Sequence, residues 1–185
     1  MPVILVISLL ITVSCSHKFN SDELDLGFYQ WNLWDDTEAV NTELTGDSVH
    51  PPSCGWEVLH RGNGKLLRIP AIIEDNFPDS EQPSVFWYHC RFTLPEQWEA
   101  RDIVLKFEGA GPGVEVYLNE ALMGVHTGIG APFEIDVTQK IYYTLDNHLA
   151  IRINGIQDTP GPGQAGISGT IVVKSKVPAG DNQSL

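Results

Sequence analysis

Apolar and polar residues alternate along the middle of the chain, across residues 103–153. Strand-like runs begin at Ile103, Val114, Phe133 and Leu149, and every second residue in each run is apolar. Successive side chains of a β-strand point to opposite faces, so this period predicts strands with one buried face. Four such runs joined by short connections predict an all-β domain, either a sandwich or a barrel.

Outside this stretch the pattern predicts further strands at residues 56–59 and 65–70 and almost no helix beyond a turn at residues 95–98. The aromatic run at residues 28–34 also reads as a strand. Its rings could form a platform on which a sugar stacks, or they could pack a first strand against the core. Burial statistics for aromatic residues favour packing.

The chain opens with an uncharged apolar run at residues 3–13, followed by Ser14 and Cys15. A helix that crosses a bilayer needs about 20 apolar residues, so this run predicts a secretory signal peptide over residues 1–15 rather than a membrane span. A buried N-terminal strand is the alternative. The small and aliphatic residues before Cys15 resemble a bacterial lipoprotein signal. We therefore expect an exported protein, either anchored through a lipid on Cys15 or secreted or periplasmic.

The formal net charge is -13, and every charged residue lies beyond Cys15. Nucleic acids and anionic membranes select basic proteins, so neither is expected as a partner. Cys90 falls on the inward face of its predicted strand, and the sequence leaves open whether it pairs with Cys54. There is no CxxC or His-x-x-x-His spacing and no Asp-rich loop. No metal site or cofactor is predicted.

These features divide the chain into four parts. We predict the signal peptide at residues 1–15, a polar segment with a first strand at 16–55, the core of the sandwich at 56–177 and a flexible tail at 178–185.

Six short motifs follow one another over about 100 residues. They are FWYHCRFTLP at 86–95, VLKFEG at 104–109, VEVYLN at 114–119, MGVHTG at 123–128, PFEIDVT at 132–138 and AGI at 165–167. In this order they resemble the N-terminal sugar-binding domain of glycoside hydrolase family 2, the family of β-galactosidases, β-glucuronidases and β-mannosidases. The resemblance implies a jelly-roll β-sandwich of the galactose-binding-domain-like type and a carbohydrate partner.

Catalysis in this family depends on two glutamates of a (β/α)8 barrel. Such a barrel takes about 250 residues, whereas eight residues follow Val177 (185 minus 177). We therefore predict no catalytic residue. The pair Asn119-Glu120 mimics the family's acid/base motif, but it falls at a predicted hairpin tip, with a turn either longer than two residues or mildly strained. The acidic residues Glu108, Glu115 and Glu134 are predicted to face solvent.

The resemblance also locates a candidate binding site. Two loops, at residues 125–132 and 158–164, correspond to loops that the family lends to the edge of its active site. This implies carbohydrate contacts by His126, Asp158 and Gln164, although Gly169 stands where an Arg is common. His126 could instead be a turn residue that bonds its own backbone.

Three functions are consistent with these observations. The first is an exported, non-catalytic carbohydrate-binding module. The second is a fragment or subunit of a family 2 hydrolase that works beside a separate catalytic-barrel chain. The third is a surface lipoprotein whose sandwich mediates protein contacts.

Overall fold

The computed structural model describes residues 22–39, 46, 48–78, 85–154 and 165–176. Within these ranges the chain is built mainly from strands. The strands are β1 (Glu23–Asp25), β2 (Trp31–Asp36), β3 (Lys65–Leu67), β4 (Ala71–Ile72), β5 (Val85–Thr93), β6 (Asp102–Phe107), β7 (Val114–Leu118), β8 (Ala121–His126), β9 (Phe133–Asp136), β10 (Asp146–Asn154), β11 (Gly166–Ile167) and β12 (Ile171–Lys176). Two short α-helices, α1 (Trp56–His60) and α2 (Ile73–Asn76), and two 3-10 helices, Leu26–Phe28 and Glu96–Trp98, complete the list. No helix in these ranges is long and apolar enough to cross a membrane.

The strands form two principal sheets. One has four strands in the order β1-β12-β6-β9, and the other has six in the order β3-β2-β5-β10-β7-β8. A third, two-stranded sheet joins β11 to β4, and all of these strand pairs are antiparallel. The predicted all-β sandwich is confirmed.

The apolar core lies between the two principal sheets, where the alternation predicts it. Val114, Val116 and Leu118 of β7 are fully buried there. The predicted inward residues of β6 and β10 join the same core, and they are Ile103, Leu105, Phe107, Leu149, Ile151 and Ile153. Side chains from facing sheets interdigitate in such a layer, and their burial is the main favourable contribution to folding.

The outer face of the six-stranded sheet is buried as well, which the alternation does not predict. Leu59, Trp87 and Tyr117 form part of a second apolar cluster on this face. The segment at residues 48–64, which includes α1, covers the cluster. A sheet buried on both faces loses the simple alternation of apolar and polar residues.

Residues 56–59, predicted as a strand, begin helix α1, so that prediction is wrong. Gly55 precedes the helix with φ 81°, a conformation that glycine adopts without strain. Trp56 and Leu59 are three positions apart and therefore share one face of the helix. Both pack into the outer cluster, so tertiary burial decides the local conformation. Helix α2 has only four residues, which agrees with the prediction of almost no helix, and the predicted turn at 95–98 is confirmed as a 3-10 helix.

Glu115, predicted to face solvent, is only 1% exposed, so that prediction is also wrong. Its strand position does point away from the core, as the alternation requires. The outer face is covered at this point, and an ion pair with Arg152 and hydrogen bonds with His50 and Tyr117 compensate the buried carboxylate.

The aromatic run at residues 28–34 packs against the core where it forms strand β2, which confirms the packing interpretation for these residues. Trp31 and Leu33 of β2 are fully buried in the core, and the Trp31 indole donates a hydrogen bond to the Leu26 carbonyl over 2.9 Å. Phe28, by contrast, is 61% exposed and lies before the strand. Cys54 and Cys90 are both free and lie on opposite faces of the six-stranded sheet, which excludes a disulfide between them.

The hairpin tip predicted at Asn119 is confirmed, and its turn has two residues. Leu118 pairs with Ala121, and Asn119 and Glu120 have φ values of 50° and 70°. Two positive φ values are what a tight hairpin needs, and Asn tolerates this conformation better than Glu. The turn is therefore short and mildly strained at Glu120.

Candidate functional site

His126 ends strand β8 opposite Val114 of β7, so its side chain lies on the inner face of the six-stranded sheet. Its ring stacks on Phe133 with a centroid distance of 4.0 Å and an interplanar angle of 12°. Phe133 in turn stacks on Phe107 of the core at 4.4 Å. Among the described residues, His126 Nε2 has no hydrogen-bond partner. His126 therefore packs where β8 approaches β9, and its contact with a carbohydrate stays a prediction.

The described residues around the two predicted loops meet at one end of the sandwich, which we call the loop end (residues 108–113, 127–132 and 165–168). Gly111 and Gly166 exchange two backbone hydrogen bonds of 3.0 and 2.7 Å. The Gly130 N–H donates to the Ala110 carbonyl over 3.1 Å, and the Asn154 N–H donates to Gly113 over 2.9 Å. Asp158, Gln164 and Cys15 lie outside the described residues, so their predicted roles are not tested.

Backbone segments approach so closely at the loop end that one glycine has no substitute. Gly111 has φ 145°, and a Cβ added to it would lie 2.3 Å from the Gly128 carbonyl oxygen. Any larger residue would clash with the loop that follows His126. Glycine at position 111 therefore allows the 127–132 connection to pack directly against the connection at residues 108–113.

Two open spaces flank the described surface. One, of about 80 Å³, is lined mainly by apolar groups, including Trp34, Cys54 and Leu59. It is smaller than the roughly 300–1,000 Å³ typical of ligand pockets. A groove of about 300 Å³ is lined by Glu96, Glu99, Ile141, Tyr142, Tyr143 and Leu145. It lies before the first residue of β10, whereas the loop end lies beyond the last residue of that strand.

A buried polar network links the outer face of the sheet to the segment that covers it. Glu115 Oε1 lies 2.7 Å from His50 Nδ1 and 3.3 Å from Arg152 Nη1. The Tyr117 hydroxyl donates to Glu115 Oε2 over 2.6 Å and accepts from the His50 N–H over 2.9 Å. Burial and then the hydrogen bond to Glu115 raise the pKa of Tyr117. These groups satisfy one another, so the network anchors the covering segment.

A second anchor lies on the same face. The fully buried carboxylate of Asp36 accepts hydrogen bonds from the Trp87 indole and the Ser53 N–H, each over 3.0 Å, and from the Ser53 hydroxyl. An acidic residue at the end of a strand thus fastens the loop at residues 51–54.

Three histidines meet beside these anchors, and we call them the histidine cluster (His60, His89 and His148). They come from α1, β5 and β10, and one ligand nitrogen from each lies within 4.8 Å of the other two. His89 Nε2 and His148 Nδ1 are 3.1 Å apart. Burial, together with neighbouring histidines, lowers the pKa of His60 to about 4 and that of His89 to about 3. Burial also lowers the pKa of His148.

The sequence gives no spacing signal for this cluster, because its members are far apart in the chain. The alternation does place His89 and His148 on the outward positions of their strands. It does not show that β5 and β10 are neighbours or that α1 adds a third histidine. The prediction of no metal site rested on local spacing alone.

With this geometry established, comparison with known proteins identifies the family. Residues 47–160, more than half of the chain, match the family described as "Glycosyl hydrolases family 2, sugar binding domain". The chain therefore belongs to that family, as its motifs predict.

Known relatives are much longer than this chain. A β-galactosidase of Thermoanaerobacter pseudethanolicus is 30% identical over 79 residues, which are 42% of this chain and 11% of the enzyme. A β-glucuronidase of Formosa agariphila is 25% identical over 76 residues, which are 41% of this chain and 8% of that protein. The chain thus matches only about a tenth of each relative's length.

Solved structures share the fold at low identity. A family 2 glycosyl hydrolase from Bacteroides cellulosilyticus has a TM-score of 0.60 and 15% identity over 83% of this chain and 20% of its own. A β-glucuronidase from an uncultured Clostridium has a TM-score of 0.58 and 18% identity over 84% of this chain and 29% of its own. The matched part in each case is the sandwich, and no catalytic domain is matched.

Proposed function

We propose that this chain is an exported, non-catalytic carbohydrate-binding module whose ligand site lies at the loop end. The observation that carries the proposal is the match of residues 47–160 to a sugar-binding domain. The relatives named above are a β-galactosidase and a β-glucuronidase, so galactosides and glucuronides are the first ligands to test.

The geometry of the loop end supports this site. The described residues on both sides of 155–164 contact the 108–113 connection, and the loop after His126 contacts it too. The described residues that flank the segment containing Asp158 and Gln164 therefore lie at the loop end. Carboxylate, amide and imidazole groups are the kinds of polar side chain that fix the orientation of a ligand in a site.

Export completes the proposal, with Cys15 as the lipidated residue. Mass spectrometry of the protein from its native host tests this directly. We expect a mature N-terminus at Cys15 that carries acyl chains. A chain that keeps residues 1–14 in the cytoplasm would contradict export.

Calorimetric titration tests carbohydrate binding. We expect galactosides, glucuronides, mannosides or polysaccharides to bind in the millimolar range or tighter, and Asp158→Asn to weaken binding at least about fivefold, a loss of about 1 kcal/mol. Asp102→Asn is the matched control, because Asp102 begins β6 at the end opposite the 108–113 connection.

The alternatives give different results. Absence of heat at millimolar concentrations of every ligand would contradict carbohydrate binding by the chain itself. Reproducible turnover of an aryl glycoside would contradict the non-catalytic role. Binding that appears only when a family 2 barrel chain is added would favour a hydrolase subunit.

A further inference from the structure

We propose that the histidine cluster binds one divalent transition-metal ion of the zinc class, through one imidazole nitrogen from each of His60, His89 and His148. The cluster lies on the outer face of the six-stranded sheet, beneath α1. It is separate from the loop end, because His148 is near the start of β10 and the loop end lies beyond the last residue of that strand.

The spacing of the nitrogens fits a shared ion. Two nitrogens that bind zinc tetrahedrally at about 2.0–2.1 Å lie about 3.3–3.4 Å apart. His89 Nε2 and His148 Nδ1 are 3.1 Å apart, and all three ligand atoms lie within 4.8 Å of one another. The rings are stacked, and those of His60 and His148 have a centroid distance of 4.0 Å. Because these two rings are stacked, the His60 ring must rotate to direct its nitrogen at the same ion.

Two buried nitrogens of the cluster have no hydrogen-bond partner among the described residues. His89 is 2% exposed, and its Nδ1 is one of them. His60 Nε2 is the other. Buried side-chain nitrogens in folded proteins normally have a partner. An ion would supply one for His60 Nε2, whereas His89 would bind through Nε2, so its Nδ1 is not a ligand.

The imidazoles are neutral at pH 7, as ligands must be, because burial holds their pKa values low. His89 Nε2 and His148 Nδ1 are within hydrogen-bonding distance, so in the metal-free chain one of the two carries the proton between them. When both nitrogens bind the ion, that proton would move to the other nitrogen of its own ring. Neutral rings need no net loss of protons, and imidazole suits zinc, copper and nickel better than calcium or magnesium.

The charged groups around the cluster have both signs. Arg91 is the nearby positive group, and it is paired with Asp146 at 3.5 Å. Glu120 Oε1 lies 3.9 Å from His60 Nδ1. Asn119 holds the 119–120 turn against β10, since its Oδ1 accepts a hydrogen bond from the backbone N–H of His148 over 2.9 Å. At 3.9 Å the Glu120 carboxylate is beyond hydrogen-bonding distance of His60, so it acts on the cluster through its charge.

Three histidines leave a fourth position for water or another ligand. The His60 side chain is 18% exposed, so the cluster can be reached from solvent. This arrangement is that of an open site rather than a closed, purely structural one.

The test is a titration of the purified, chelator-treated chain with Zn²⁺ against a chromophoric competitor. We expect one ion per chain with a Kd of about 10 µM or tighter. His60→Gln, His89→Gln and His148→Gln should each weaken binding at least about tenfold. His126→Gln is the matched control, because His126 lies outside the cluster. The Zn²⁺ affinity of this variant should stay within about twofold of that of the unmodified chain.

Nuclear magnetic resonance of the imidazole rings in the unmodified chain is a second test, and it does not depend on the folding of any variant. Zn²⁺ should shift the ring signals of His60, His89 and His148 and leave those of His50 and His126 in place. Absence of binding at about 1 mM Zn²⁺ would overturn the proposal. Equal affinity in the cluster variants and in the control, or shifts on other histidines alone, would also overturn it.

Discussion

The inner face of the six-stranded sheet and the central part of its outer face are both buried, but by different means. The inner face packs apolar side chains such as Val116 and Ile151 against the second sheet. The outer face combines Trp87 and Tyr117 with charged groups such as Glu115 and Arg152. Burial of apolar surface stabilises the inner face, and this contribution is not directional. The outer face is stable only if its buried polar groups have specific partners.

The largest effect should follow from breaking the outer ion pair. Glu115→Ala leaves Arg152 buried without its carboxylate, so we expect a loss of about 3–5 kcal/mol in the free energy of unfolding. Denaturant titration measures it. Glu134→Ala is the control, since Glu134 pairs with Lys176 at the surface and its loss should stay within about 1 kcal/mol.

A double variant separates charge from packing at the same place. Glu115→Leu combined with Arg152→Met removes both charges. This double variant should be clearly more stable than the single variant Glu115→Ala. Equal stability of the Glu115 and Glu134 variants would mean that the outer face is not buried as described.

The inner face should respond to lost volume. Ile151→Ala deletes methyl and methylene groups from a fully buried site, and we expect a loss of about 3 kcal/mol. Leu66→Ala is the control, because Leu66 is 58% exposed in the same sheet and should lose at most about 0.5 kcal/mol. Similar losses for the two residues would contradict the position of the core.

The sandwich and its inner face could be predicted because both follow from local alternation and from the order of the family motifs. Glu115 and α1 could not, because the fate of an outward residue depends on what covers it. Residues 48–64 reach the sheet from far away in the chain, and Gly55 and Trp56 give only a weak local signal.

The candidate sites divide in the same way. The resemblance gives His126 and its loop, whose described surroundings meet the 165–167 segment at one end of the sandwich. The histidine cluster depends on the pairing of β5 with β10 and on the docking of α1. Those contacts join residues 60, 89 and 148, and no local spacing encodes them.

The smallest of the three stability effects should be a pH dependence at the surface. Hydrogen bonds from the Thr138 hydroxyl and N–H lower the pKa of Asp136. The carboxylate therefore contributes stability above its unfolded pKa, and that contribution is lost as the pH falls through the folded value. In Asp136→Asn the amide oxygen accepts both bonds but does not titrate. The thermal stability of this variant should therefore fall less steeply than that of the unmodified chain between pH 5 and pH 2, a range that extends about one unit beyond the usual Asp pKa values on each side.

Thr138→Ser is the matched control, since serine keeps both donors and should retain the slope of the unmodified chain. If Asp136→Asn has the same slope as Thr138→Ser, the two hydrogen bonds do not lower the pKa of this carboxyl group in the folded chain.

Mapping of amide chemical shifts during a carbohydrate titration tests the central claim most directly, because it compares the two ends of the sandwich in one experiment. We predict that a bound galactoside or glucuronide shifts residues 108–113, 127–132 and 165–168 and leaves the groove at residues 141–145 unchanged. Shifts confined to that groove, or no shifts at millimolar ligand, would contradict a carbohydrate site at the loop end.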